Sequence, residues 1–308
     1  MIRILLTGCD GQVGWELQRA LQPLGAVIAL DRAACDLASP ERLRSVVRHH
    51  APDLIVNSAA YTAVDKAQTE VELAMAVNGA APAILGEEAA RLGAGVVHYS
   101  TDYVFDGTKA EPYDEADATG PISVYGRSKL AGEEALRQSG AAHLILRTSW
   151  VYAARGRNFL RTMLRLMRER EELSVVSDQM GAPTSARLIA ATTATVVARA
   201  GRSRDEIQAV LRERGGTYHL AAGGATSWFG FAEFIRDHSV DPARRLRTLR
   251  PIATAQYPTP ARRPANSRLR TDRLRRAWSV HLPEWTDDVR LCLAEQPDGV
   301  RLVESSRA

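Results

Sequence analysis

The sequence predicts an α/β protein, a doubly wound parallel Rossmann sheet carrying a smaller α/β substrate-binding domain. Three observations predict it. Short apolar runs alternate with longer helical patterns through the first half of the 308 residues, as expected for parallel strands covered on both faces by helices. The first apolar run enters Thr7-Gly8-Cys9-Asp10-Gly11-Gln12-Val13-Gly14 directly, so a glycine turn joins a strand to a helix. A carboxylate, Asp31, ends the second run, about 20 residues beyond the glycines, where such folds bind a ribose.

Each element follows in order. Residues 2–6 read as the first strand, 12–21 as a helix and 26–31 as the second strand. Residues 40–49 are helical and 53–58 form a buried strand. Residues 70–92 carry one long helical periodicity, and 95–100 form another strand. A helix over 123–138 leads to a strand at 143–147. The second half is less regular, with a helix at 158–170, a short strand at 173–176 and an Ala-rich helix at 186–200. Residues 216–221 look like one more core strand. The segment 251–268, rich in Pro and Arg and without periodicity, reads as a long loop or clamp. Residues 304–308 read as a frayed tail. The expected organisation is a dinucleotide-binding domain at 1–150, with return segments near 186–222 that include the strand at Tyr218. A substrate-binding domain at 151–308 is interleaved with it.

Bulk composition narrows the class. Hydrophobic residues make up 45% and charged residues 25% of the chain, with a formal net charge of +4, an ordinary soluble balance. No basic run interleaves with aromatics, so nucleic acid is not an expected partner. The three cysteines, Cys9, Cys35 and Cys292, show no metal or redox spacing, which fits a reducing, cytoplasmic location. No stretch approaches the roughly 20 apolar residues that span a bilayer. No histidine belongs to a ligand-spaced cluster, and His98 and His219, lying within strands, read as core packing.

The glycine turn specifies a dinucleotide site. Gly8 permits the tight turn, Gly11 lets the backbone approach the phosphates, and Gly14 allows the helix to pack on the strand. The N–H groups of Gly11, Gln12 and Val13 are expected to point at a pyrophosphate from a helix N-terminus. Asp31 favours NADH by repelling a 2′-phosphate, whereas the adjacent Arg32 can pair with that phosphate, so either NADPH or NADH is expected. Asp36 and Leu37 fall on the next loop, near the adenine. Ala59 and Ala60, after the following strand, let the cofactor pass close to the backbone, with Thr62 just beyond.

A second motif supplies the chemistry. Tyr125 and Lys129 stand at i and i+4 on one helical face. A free phenol, with a pKa near 10, is a poor acid–base group at neutral pH, and a neighbouring ammonium is expected to bring it toward the working range. Thr101, at the end of a strand, is placed to hydrogen-bond a substrate oxygen on which charge develops. The catalytic set expected is therefore Tyr125, Lys129 and Thr101.

The glycine turn and Tyr-x-x-x-Lys resemble those of the extended short-chain dehydrogenase/reductases. Further motifs resemble the dTDP-4-dehydrorhamnose reductase family: Ser100-Thr101-Asp102-Tyr103-Val104-Phe105-Asp106-Gly107, Arg147-Thr148-Ser149-Trp150-Val151-Tyr152, Asn158-Phe159, Asp178-Gln179 with Gly181-Ala182-Pro183-Thr184, and Tyr257-Pro258-Thr259-Pro260 leading into Arg263-Pro264 and Asn266-Ser267. The resemblance runs from residue 1 to about residue 295. It implies reduction by NADPH or NADH of the C4 keto group of dTDP-4-dehydro-β-L-rhamnose, the last step of dTDP-L-rhamnose synthesis, with Tyr125 protonating the C4 oxygen. It implies that Asp102, Tyr103 and Trp150 stand around the sugar. Asn158, Thr184 and Arg263 become candidates for the nucleotide end. Dehydratases of this fold usually carry an acidic residue after Thr-Asp; Tyr103 stands there instead, which favours simple reduction.

The resemblance also exposes a departure. Some family members hold a divalent ion such as Mg2+ at a dimer contact, using a Glu at the position of Glu16 and another where this chain has Arg187. A cation beside Arg187 is repelled, so no metal site is expected and a Glu16–Arg187 salt bridge can take its place, within or between the subunits of a homodimer. Two other readings stay open at the level of sequence: a reductase of a different dTDP-4-keto-6-deoxyhexose, and a regulatory homologue that binds cofactor without turnover.

Overall fold

The computed structural model describes residues 1–296 and 301–302; the tail at 304–308 lies outside them. The first half runs β1 (Ile2–Thr7), α1 (Gln12–Leu21), β2 (Gly25–Leu30), α2 (Pro40–His50), β3 (Leu54–Asn57), α3 (Val71–Met75), α4 (Ala81–Leu92), β4 (Gly95–Thr101), α5 (Val124–Gln138) and β5 (Ala142–Thr148). The second half continues with β6 (Val151–Tyr152), α6 (Phe159–Glu169), β7 (Glu172–Val176), β8 (Met180–Gly181), β9 (Thr184–Ser185), α7 (Ala186–Ala200), α8 (Arg204–Arg214) and β10 (Gly216–His219). It closes with β11 (Thr226–Ser227), α9 (Trp228–His238), β12 (Ser239–Val240), β13 (Thr248–Ile252), α10 (Asp272–Trp278) and α11 (Trp285–Ala294).

Six of these strands form one parallel sheet in the order β2-β1-β3-β4-β5-β10. Strand direction of build-up reverses between β1 and β3, the crevice where doubly wound sheets bind ligands. Alternate side chains on each strand face opposite ways, and both faces are apolar. Ile4 and Leu6 of β1, Leu54 and Val56 of β3 and Val97 of β4 pack under α1, α7 and α8. Leu5, Ile55 and Val96, one residue out of phase, pack under α2, α4 and α5. This double burial explains why the strands read as nearly continuous apolar runs.

A separate core surrounds Tyr152, Leu160, Met163, Phe231 and Trp285, drawn from β6, α6, α9 and α11. Its small parallel sheet pairs β7 with β13. Helix α9 forms in an aromatic stretch because its apolar residues recur at helical spacing and Ser227 caps it, accepting from Gly230 N at 3.0 Å.

Two expectations need correction. The helical run at 70–92 is broken into α3 and α4 by a π-helical turn at Ala76–Ala80. Asn78, in that turn, exchanges hydrogen bonds with the Tyr61 backbone (N to Oδ1, 2.8 Å; Nδ2 to O, 2.9 Å), a tertiary demand invisible to helical periodicity. The strand at 216–221 stops at His219. Helices α8 to α11, the strand β13, which overlaps the expected loop at 251–268, and the two-residue strands β6, β8, β9, β11 and β12 are elements that the pattern did not resolve.

Helix α5 is locked to the sheet in two ways. Ser123 caps it, accepting from Gly126 N at 3.1 Å. Glu133, fully buried, receives both Nε (2.8 Å) and Nη2 (2.7 Å) of Arg147 on β5. A bidentate pair of this kind fixes orientation as well as distance, so the face of α5 that carries Tyr125 and Lys129 is set against the end of β4.

Candidate active site

A cleft of about 660 Å³ opens at the carboxyl ends of β1, β3, β4 and β5. One end is lined by Gly8, Gly11, Gln12, Val13, Asp31, Arg32, Asp36, Leu37, Ala59, Ala60 and Thr62. The inner end is lined by Thr101, Asp102, Tyr103, Tyr125 and Lys129, and the outer end by Trp150 and Trp228. The structure therefore brings nearly all of the expected residues to one surface.

The glycine turn has the shape a dinucleotide needs. Gly8 has φ +69° and lies so close to the next strand that a Cβ would stand 2.7 Å from the Ala59 Cα. Gly14 lies outside the cleft wall, where a Cβ would come within 2.0 Å of the Gly8 carbonyl oxygen, so its role is close packing of α1 on the turn. One detail differs from expectation: the Gly11 N–H donates to Gly8 O at 3.0 Å and closes the turn instead of facing a ligand. Gln12 and Val13 supply the free first-turn N–H positions of α1. Asp31 accepts from Ala34 N at 2.8 Å through one oxygen. Arg32 is 78% exposed in its side chain and only loosely paired with Asp36, at 3.9 Å.

At the inner end, β4 stops at Thr101 and the chain turns sharply through Asp102–Val104. The Thr101 hydroxyl accepts from Tyr103 N at 3.2 Å and donates to Asp102 Oδ1 at 2.9 Å. The same hydroxyl acts on the neighbouring Tyr125 phenol, favouring the phenolate. Tyr103 packs edge-on against Tyr125, ring centroids 5.6 Å apart. Lys129 Nζ donates to Tyr99 O at 2.7 Å and meets His98 Nε2 at 3.3 Å.

The electrostatics overturn one expectation. Burial, reinforced by the neighbouring Asp102 charge, pushes the Tyr125 phenol above its ordinary value, with the Thr101 hydroxyl pulling the other way. Lys129, itself buried with its head held by the β4 backbone, does not offset that burial. Burial brings Lys129 itself down to about 8 against the pull of Glu133. Burial likewise pushes Asp102 up to about 6, with the Ser267 and Thr101 hydroxyls offsetting only part of the cost. Asp102 lines the cleft, and its Oδ2 is buried without a well-formed hydrogen bond.

The outer end holds residues that sequence reasoning missed. Trp150, at φ +48°, stacks on Trp228 with centroids 3.5 Å apart and planes 6° from parallel. Trp228 Nε1 donates to Gln179 Oε1 at 3.1 Å. Arg263 pairs with Asp65 at 2.8 Å, just outside the cleft wall. Two candidates for the nucleotide end are elsewhere. Asn158 caps α6, accepting from Arg161 N at 3.0 Å, and donates to Gln12 Oε1 at 2.8 Å, tying α6 to the glycine helix. Thr184 is fully buried, donating to Ala182 O at 3.1 Å and accepting from Ala222 N at 3.2 Å. Side chains of Ser, Thr and Asn satisfy caps and buried backbone as readily as ligands, and only the tertiary fold separates these uses.

Glu16 and Arg187 meet within this chain, at 3.6 Å, and Arg187 also pairs with Glu295. Among the described residues no group of three His, Cys, Asp or Glu side chains is arranged to hold a metal ion. No helix among them is long and apolar enough to cross a membrane.

A doubly wound sheet, a glycine turn at its first crossover and a Tyr-x-x-x-Lys helix beside a threonine-ended strand define a short-chain dehydrogenase/reductase. The family model described as the RmlD substrate binding domain matches residues 2–297. The chain is 50% identical over 298 residues to dTDP-4-dehydrorhamnose reductase of Burkholderia thailandensis, covering 96% of this chain and 99% of the relative. It is 48% identical to the Salmonella typhimurium protein of the same name, with 96% and 98% covered. Two solved structures of that name are similar. One, from Clostridium acetobutylicum, has a TM-score of 0.85 at 33% identity, covering 94% and 98%. The other, from Bacillus anthracis in complex with NADP, has a TM-score of 0.83 at 33% identity, covering 96% and 99%. The chain belongs to the dTDP-4-dehydrorhamnose reductase family.

Proposed function

We infer that the protein reduces the C4 carbonyl of dTDP-4-dehydro-β-L-rhamnose to the alcohol, giving dTDP-L-rhamnose, with NADPH or NADH. The observation that carries this reading is the inner end of the cleft, where Tyr125, Thr101 and Lys129 converge beside a glycine turn shaped for a pyrophosphate. Bound reduced nicotinamide supplies the hydride. The chain's own residues do the rest. Tyr125, kept protonated at neutral pH by burial, delivers its phenolic proton to the C4 oxygen. The Thr101 hydroxyl stabilises charge on that oxygen. Lys129 Nζ has one donor left beyond Tyr99 O and His98 for the cofactor ribose, and its charge favours the phenolate left behind. Asp102 offers its unpaired oxygen to a sugar hydroxyl. Trp150 and Trp228 form an apolar wall beside the sugar, and Arg263 exchanges Asp65 for the diphosphate. In this reading the parallel sheet with its flanking helices holds the cofactor, and the core around Tyr152 and Phe231 carries the nucleotide-sugar side.

Loss of nicotinamide absorbance on mixing enzyme, reduced cofactor and enzymatically prepared dTDP-4-dehydrorhamnose tests the reading, with product identified by NMR. Formation of dTDP-L-rhamnose that collapses in Tyr125→Phe is the expected result. Cofactor binding without turnover of this sugar or its 4-keto epimers would instead identify a regulatory homologue.

A further inference from the structure

Behind Lys129 lies a line of buried polar side chains whose positions in strands read, from sequence, as core packing. His98 Nε2 stands 3.3 Å from Lys129 Nζ, and His98 Nδ1 stands 3.0 Å from Asn57 Nδ2. Asn57 Oδ1 accepts from the Thr7 hydroxyl at 2.7 Å. All four residues are at least 98% buried. Thr7 is directly paired with Asn57, and Asn57 with His98, across three adjacent strands. The line therefore runs from the residue preceding Gly8 to the lysine of the catalytic set.

The neutral imidazole can be placed in this line as either of two tautomers. A neutral imidazole has one N–H and one acceptor nitrogen. When Asn57 Nδ2 donates to Nδ1, the ring proton sits on Nε2 and points at Nζ, which can accept it only as a neutral amine. A half-turn of the Asn57 amide exchanges its oxygen and nitrogen. Oδ1 then accepts from Nδ1–H, Nδ2 donates to the Thr7 hydroxyl, and Nε2 is free to accept from an ammonium. The first arrangement is open only to the amine; an ammonium, which can only donate, requires the second.

We propose that His98 and Asn57 are positioning residues for Lys129, the Asn57 amide and the His98 tautomer together selecting whether the lysine stands as ammonium or amine. The imidazole remains neutral throughout, because burial, the Lys129 charge and His143 on β5 all hold its pKa well below the ordinary value. Lys129 faces His98 on β4 and Glu133 on its own helix, and with its pKa brought down to about 8 the exchange falls close to neutral pH. The consequence for catalysis rests on the reductase reading, since the ammonium, unlike the amine, brings a positive charge to the phenolate and the cofactor ribose.

The experiment is a pH titration of the 15N-histidine-labelled free protein, following the two ring nitrogens of His98 by NMR. The expected result is Nδ1–H below about pH 8 and Nε2–H above it, with the change abolished in Lys129→Met. One tautomer held throughout the titration overturns the proposal, as does a change that survives in Lys129→Met. Kinetics give a second reading. His98→Leu removes the acceptor, so the alkaline limb of kcat/KM is expected to move about one pH unit acidward, and His98→Gln, which keeps an acceptor near the Nε2 position, restores it. A limb unmoved in folded His98→Leu also overturns the proposal. Wild-type protein that shows the tautomer change but no turnover sinks the reductase reading alone; turnover without the change sinks this proposal alone.

Discussion

The two ends of the cleft are held in opposite ways. At the inner end the heads of Lys129 and Thr101 are fixed by β4 and the turn that follows it: Lys129 by the Tyr99 carbonyl and His98, Thr101 by Asp102 and Tyr103. At the outer end the groups hold each other, Arg263 by Asp65 and Trp150 by Trp228. An end built on strand termini is positioned before a ligand arrives, which is what proton transfer at short range requires. An end built on reciprocal pairs must exchange partners to bind. Damage to the inner end should therefore appear in kcat, and damage to the outer end in KM.

The largest effect tests that division directly. Tyr125→Phe should lower kcat by about 10²–10⁴-fold and leave cofactor affinity, measured by fluorescence titration, nearly unchanged. A comparable loss of cofactor affinity would dissolve the distinction. Asp102→Asn probes the cost of holding the inner end in place. Asp102 ordinarily ionises near 3.8 but is raised to about 6 in the fold. The folded state thus holds its proton more tightly than the unfolded chain, and stability falls as pH rises across that interval. The variant should be more stable than wild type at neutral pH by about 2 kcal/mol, with the gain vanishing near pH 4, as read from urea midpoints. Its turnover should fall.

The outer end answers more mildly. Arg263→Ala should raise the KM for the nucleotide sugar by about tenfold with kcat little changed, the loss of one charge-assisted contact to diphosphate. An equal fall in kcat would place Arg263 with the inner group. The smallest effect is expected at Arg32→Ala, where an exposed guanidinium beside Asp31 discriminates between cofactors. NADPH should lose about fivefold in affinity, and NADH little, by the same titration.

What the sequence could disclose follows the same line. Strands β1 and β3 and the glycine turn were legible because double burial writes continuous apolar runs and a φ of +69° beside Ala59 demands Gly8. Tyr125 and Lys129 were legible because four residues of helix place them on one face. Partners distant in the chain were not. Asp65 meets Arg263 across 198 positions of chain, and Trp228 likewise meets Trp150 only through the tertiary fold. His98 gave no signal at all, since a histidine among apolar strand residues looks the same whether it fills space or accepts from a lysine. Asn158 and Thr184 misled for the complementary reason: their polar groups serve a helix cap and a buried backbone.

The return of β10 to the sheet has a consequence for how the chain is made. β5 pairs with β4 on one side and with β10 on the other, yet β10 follows it only after β6 through α8 have been synthesised. Until Gly216–His219 emerge from the ribosome, β5 is an open edge, a template for pairing with other chains. Its Arg147 pairs with Glu133 of α5, a charge on a mainly apolar strand of the kind that blunts premature pairing. The nascent sheet thus waits for its last strand with a built-in guard, and a chain cut after β5 would carry that unfinished edge permanently.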